Sequence, residues 1–168
     1  GVRTGSVSRV ANRNYLFIDL VLDPKVAPGT FDITFSGAGR TTTHAYRLLA
    51  RDPDSANRQG FSSKDAIYQI MPDRFANGDP SNDNVAGMLD KADRKGGLGR
   101  HGGDIQGAIN HLDYIADMGF TQLWPTPLIE NNMPGYSYHG YAATDLYKID
   151  PRYGSNEDFV RLSTEAKK

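Results

Sequence analysis

The run from Asp104 to Trp124 sets the tightest limit on what this chain can fold into. Ile105, Ala108, Ile109, Leu112, Ile115 and Ala116 recur at steps of three and four, which draws one apolar stripe along an α-helix. The spacing predicts a single helix over 104–118, ended by Gly119. Thr121 to Trp124 then reads as a short strand stopped by Pro125 and Pro127, and Ala66 to Ile70 is a similar short strand upstream. Strands that alternate with helices are the mark of a parallel α/β sheet. A further helix begins at Ser155, with Asp158 three residues on in capping-box spacing and Phe159, Leu162 and Ala166 at helical intervals. The order strand, helix, strand, long loop, helix is the opening portion of a (β/α)8 TIM barrel. About two of the eight units are present, too few to close a barrel. Both ends of the chain therefore read as cut.

The front of the chain follows another rule. Phe31, Ile33 and Phe35 alternate with Asp32, Thr34 and Ser36, as in a half-buried strand. Tyr15 to Leu22 and His44 to Ala50 are further strands, with Pro24, Pro28, Gly29, Gly37 and Gly39 marking the turns. Residues 1–52 thus read as the later part of a β-sandwich domain, 53–64 as a linker, and 65–168 as the first part of the barrel.

Composition narrows the function. The formal net charge is −1, so no electrostatic case exists for nucleic acid or an anionic membrane as partner. No apolar run approaches the roughly 18 residues of a membrane helix. Cysteine is absent, which removes disulfides and thiolate metal sites and leaves the redox compartment open.

Two segments carry chemistry. The first, NGDPSND, presents Asn77, Asp79, Asn82 and Asp83, with Gly78 and Pro80 bending the backbone around them. Calcium takes about six to eight hard oxygen ligands, so four side chains fall short and a second segment must contribute. Gly102 and Asp104 of HGGD are the candidates. The competing reading is an Asx-rich turn with Asp104 merely capping its helix. Magnesium prefers fewer protein ligands, and zinc lacks nitrogen and sulfur partners here.

The second segment, Tyr136 to Phe159, gathers Tyr136, Tyr138, His139, Tyr141 and Tyr147 on a glycine-punctuated loop. Rings with polar tips suit flat, hydroxylated ligands such as sugars. An aromatic-rich packing loop is the plainer alternative. Elsewhere, Trp124 reads as core packing, Glu130 as a surface carboxylate, and Asp73 with Arg74 as a structural ion pair. The Gly96–Arg100 run follows no apolar strand and lacks the Lys-Ser/Thr ending of a phosphate loop.

Three blocks in order, AIYQIMPDRFANGDPSND, GRHGGDIQGAINHLDYIADMGFTQLWPTP and YSYHGYAATDLYKIDPRYGSNEDF, resemble the α-amylase family of glycoside hydrolases (family 13), most of all its neopullulanase and cyclomaltodextrinase branch. The resemblance covers Ala66 to Lys168. It implies that the HGY element lines the catalytic pocket, with Tyr141 stacked on the sugar whose bond is cut and His139 beside the same subsite. Asp145 would orient the loop or touch substrate. It also implies a structural Ca2+ held by Asn77, Asp79, Asn82, Asp83, Gly102 and Asp104. The nucleophilic aspartate, acid glutamate and third aspartate of the family lie on later strands, so no catalytic acid is expected before Lys168. A fragment so limited should be inactive alone. The function implied for the parent enzyme is retaining hydrolysis of α-glucosidic bonds in starch-derived maltodextrins. A transglycosylase of the same family and a non-catalytic starch-binding protein are its competitors. The implied partner is an α-glucan oligosaccharide. A homodimer of the parent stays open, and a periplasmic or secreted setting is favoured over the cytoplasm.

Overall fold

The computed structural model describes residues 1–58 and 60–168 and contains two compact units, Gly1–Gln59 and Gly60–Lys168. The first holds two antiparallel hairpins. β1 (Val2–Arg9) pairs with β2 (Leu16–Leu22), with its register broken between Thr4 and Val7. β3 (Gly29–Gly37) pairs with β4 (Arg40–Leu48) in unbroken register down to Gly37 opposite Arg40. The turn residues Ala38 and Gly39 have φ of 48° and 74°, the left-handed pair that matches the twist of a two-residue hairpin. Phe31 faces Tyr46 across this ladder, with ring centroids 5.1 Å apart. No described side chain of this unit is fully buried.

The second unit is built on a parallel pair, β5 (Ile67–Ile70) and β6 (Gln122–Pro125), in register from Ile67 opposite Gln122 to Ile70 opposite Pro125. Parallel neighbours need a crossover. It runs through α1 (Pro72–Phe75), a long loop, α2 (Ile105–Ile109) and α3 (Leu112–Asp117). The chain then loops out to α4 (Asn156–Glu165). Ile70, Ile105, Ala108, Leu128, Ile149, Tyr153 and Leu162 form the core, with Tyr68, Phe75, Ile109, Leu112 and Leu123 packed against it. Among the described residues no helix is long and apolar enough to cross a membrane.

Two expectations change. The single helix over 104–118 is broken at Asn110 and His111. The His111 ring bonds the Gly107 carbonyl at 2.8 Å, while the His111 N–H turns to Ala108 instead. A side chain that takes the i−4 carbonyl competes with the helical ladder and interrupts it. Trp124, expected in the core, is 60% exposed, because strand alternation sends its ring to the opposite face from Leu123. The capping box at Ser155 forms as read: Ser155 accepts from the Asp158 N–H, and the Asp158 carboxylate accepts from the Ser155 N–H. Those serine bonds, with Arg161 beside it, hold the Asp158 carboxyl below its usual value.

Candidate functional site

The aromatic segment leaves the carboxyl end of β6 and is tied at its base. The Asp150 N–H donates to the Leu128 carbonyl at 2.8 Å, and Glu130 and Lys148 pair likewise at 2.9 Å. Between these ties, Tyr136 enters the left-handed region at φ 59° and opens a single 3-10 turn, Ser137–His139, which Gly140 closes at φ 81°. Gly140 cannot be replaced without cost, since a Cβ there would overlap the Pro127 carbonyl. A left-handed non-glycine beside a compressed glycine persists only where the surroundings impose it.

Those surroundings are buried and charged. The Ser137 N–H and hydroxyl both donate to Asp90 Oδ2, at 3.0 and 2.9 Å. Arg100 Nη1 donates to the Ser137 hydroxyl at 3.2 Å and its carbonyl at 3.3 Å. Asn131 Nδ2 reaches the same carbonyl at 3.4 Å. Behind them, Arg152 donates to both oxygens of Asp150, at 2.9 and 2.7 Å, and to the carbonyls of Asp90 and Asn131 at 2.8 Å each. Burial would raise the Asp150 carboxyl, but the bonds from Arg152 and the Asn131 N–H outweigh it and hold the group below its usual value. Tyr153 donates its hydroxyl to the Tyr138 carbonyl at 2.6 Å, and burial pushes that phenol far above its usual value, so it stays a protonated donor. Arg74, paired with Asp73, lays its guanidinium 4.0 Å from the centre of the Tyr138 ring.

On this turn, Tyr141 is 65% exposed. Its backbone N–H donates to His139 Nδ1 at 3.0 Å, and the two ring centroids lie 5.9 Å apart. Because Nδ1 accepts, the neutral imidazole carries its proton on Nε2. The pair therefore offers a ring face and an N–H donor side by side. Asp145 accepts the Tyr147 N–H at 2.9 Å, a local bond that shapes the loop. Glu130 is taken up by Lys148 at 3.1 Å and the Thr144 hydroxyl at 3.1 Å.

The oxygen-rich loop folds against HGGD. Asn77 Nδ2 donates to Asp83 Oδ1 at 2.7 Å, and the Gly102 Cα faces both side chains so closely that a Cβ would overlap Asp83. Asp104 caps α2 through the Gly107 N–H at 2.6 Å and also accepts from the Gly78 and Asp79 N–H groups, at 3.1 and 2.8 Å. Asn82 Nδ2 reaches Asp104 at 3.3 Å, while Asp79 Oδ1 is occupied by Ser81. Asn77 Oδ1 and Asn82 Oδ1 are buried with no hydrogen-bond partner. Among the described residues, no cluster of three or more His, Cys, Asp or Glu side chains is arranged to hold a metal.

Arg100, Arg152, Asp90, Asp150, Asn131 and Ser137 escaped the sequence reading. Arg100 stood in a glycine-rich run that reads as loop, and its hydrogen-bond partner Ser137 lies 37 residues away. A basic residue at the edge of such a run, followed by HGGD, was the one available signal.

The fold and site define a class: the opening of a (β/α)8 barrel that presents an aromatic and imidazole wall beside its strand ends. The chain belongs to the α-amylase family, with residues 69–168 matching the alpha amylase catalytic domain and residues 1–52 the cyclomaltodextrinase N-terminal domain. It is 47% identical over 105 residues to a beta/alpha-amylase of Paenibacillus polymyxa, covering 62% of this chain and 8% of the relative. An Anoxybacillus alpha-amylase structure matches with TM-score 0.56 and 44% identity over 62% of this chain and 21% of its own. The cyclic α-maltosyl-(1→6)-maltose hydrolase of Arthrobacter globiformis, solved in complex with maltose, matches with TM-score 0.51 and 37% identity, over 61% of this chain and 22% of its own. The chain thus spans less than a quarter of the length of these proteins.

Proposed function

We propose that the protein carrying this chain cleaves α-glucosidic bonds of maltodextrins with retention of configuration, and that Tyr141 and His139 form one wall of the subsite where cleavage occurs. The observation that carries this is the exposed Tyr141 ring 5.9 Å from the His139 imidazole, with the Tyr141 backbone N–H bonded to His139 Nδ1. It supplies both halves of sugar recognition, an apolar face and a positioned donor. The relatives include amylases and a maltose-bound hydrolase, which supports the same substrate class. Retaining cleavage needs a second carboxyl group about 5 to 5.5 Å from the acid. Asp145 and Glu130 are engaged in loop bonds, and neither is assigned to that pair. NMR of maltotriose treated with the whole protein should show the α-anomer released first. A β-anomer, or intact maltotriose, overturns the reading.

The oxygen-rich loop fits a calcium ion in one respect: Asn77 and Asn82 bury acceptor oxygens that nothing satisfies. Such oxygens cost free energy unless a donor or a cation meets them. Asn77, Asp79, Asn82, Asp83 and the Gly102 carbonyl would hold the ion, with Asp104 shared between it and the helix cap. Bound there, calcium would tie the loop after β5 to the start of α2. Removing it with EDTA should lower Tm by several degrees, since a site at a hundredfold excess over Kd contributes about 2.7 kcal/mol. Calcium should restore Tm and magnesium should not. An unchanged Tm counts against the site.

A further inference from the structure

We infer that Ser137 is a positioning residue for the sugar-facing pair, acting as the polar joint through which a buried anion and cation grip the turn, beside the Tyr153 hydroxyl that holds the next carbonyl; this rests on the site reading above. Ser137 is fully buried, yet its N–H, hydroxyl and carbonyl all bond outside its own turn, to Asp90, Arg100 and Asn131. Its carbonyl also accepts the Gly140 N–H at 3.2 Å, which closes the turn. His139 is two residues on, and the bond from the Tyr141 N–H to its Nδ1 spans the same turn. The His139 ring also packs edge-on against Tyr138, with centroids 5.4 Å apart, and the Tyr138 carbonyl is held by Tyr153. The orientation of His139 and Tyr141 is set by the turn that Ser137 and Tyr138 anchor, and Ser137 carries its charged share.

The grip is specific in sign. Asp90 can only accept, so it takes the two Ser137 donors, while Arg100 can only donate, so it takes the oxygens. The serine hydroxyl does both at once and is the joint between an anion and a cation. Arg100 is itself held, 3.8 Å from Asp73 and 4.7 Å from the centre of the Tyr153 ring. Arg152 holds the Asp90 carbonyl from the other side. An alanine at 137 would keep the turn's backbone but leave the Asp90 and Arg100 bonds to the hydroxyl unmade.

The test couples this serine to the ring it is said to aim. Ser137→Ala in the whole protein should lower kcat/KM on maltotriose about tenfold, and the same change in a Tyr141→Ala background should cost less than about twofold, because residues acting through one another are not additive. Nitrogen-15 shifts of the His139 ring give a second readout. The wild type should show an unprotonated Nδ1 and a protonated Nε2, and Ser137→Ala should move toward a mixed tautomer. If Ser137→Ala does not fold, Asp90→Asn enters the same cycle with the same expectation. Equal losses in both backgrounds, or full activity of Ser137→Ala beside an impaired Tyr141→Ala, overturn the positioning role and leave the site reading intact. A fully active Tyr141→Ala overturns both.

Discussion

Tyr141→Ala should reduce kcat/KM on maltotriose roughly 30-fold while leaving Tm within a degree or two. The ring is 65% exposed and contributes little to the core, so its removal costs the fold almost nothing. A sugar would cover about one face of it. Half of a buried tyrosine is on the order of 80–100 Å², and at about 25 cal/mol per Å² that is roughly 2 kcal/mol, or about 30-fold. Phenylalanine at the same position should recover most of the loss, because the face does the binding rather than the hydroxyl. Steady-state kinetics on the two variants decide the matter. Wild-type rates for the alanine variant would remove Tyr141 from the site.

Arg152→Ala should be the most damaging single change to stability. Arg152 is 1% exposed and is the cation paired with the buried Asp150. Deleting one member of a buried pair leaves the other charge uncompensated, which costs about 3–5 kcal/mol. The Asp90 and Asn131 carbonyls lose their donors at the same time. Lysine should rescue only part of this, since it cannot bond both carboxylate oxygens in a fixed plane. The pH dependence carries a sign. The Asp150 carboxyl is lowered from its ordinary value of 3.8, so its stabilising contribution is present above that value and is lost as pH falls through the lower folded one. Denaturant melts at pH 7 and down to pH 2 should show wild-type stability falling at acid pH, and Arg152→Ala should show a shallower fall, the remainder coming from carboxyls such as Asp158 that keep their partners. A variant within 1 kcal/mol of wild type at pH 7 would show the pair to be dispensable.

Much of the fold could be read from local pattern. The apolar stripe of Ile105, Ala108, Leu112 and Ile115, the serine cap at 155 and the proline stops after Trp124 each record a local preference in the residues themselves. The parallel pairing of β5 with β6 follows from their order with a helical crossover between them. The break at His111 was not legible, because a histidine inside a helical stripe carries no sign of which carbonyl its ring will take. Trp124 was misread for a related reason: in a short strand, composition does not say which face of the sheet is covered.

The site divides along the same line. Residue type marked the ring-rich loop of Tyr136, Tyr138, His139, Tyr141 and Tyr147 as chemically distinctive, and only the resemblance narrowed it to His139 and Tyr141. Residue type likewise marked the oxygen donors Asn77, Asp79, Asn82 and Asp83. What holds the turn in place came only from the folded chain. Asp90, Arg100, Asn131, Asp150 and Arg152 look like ordinary loop polar residues until distant segments meet and water is excluded. Only then does each charge face its partner across a gap of hydrogen-bond length, and loop residues become the frame of the site. Sequence spacing records which groups a chain owns and what the backbone next to them prefers, whereas electrostatic pairing at long range depends on distance through space and on burial, which exist only after folding.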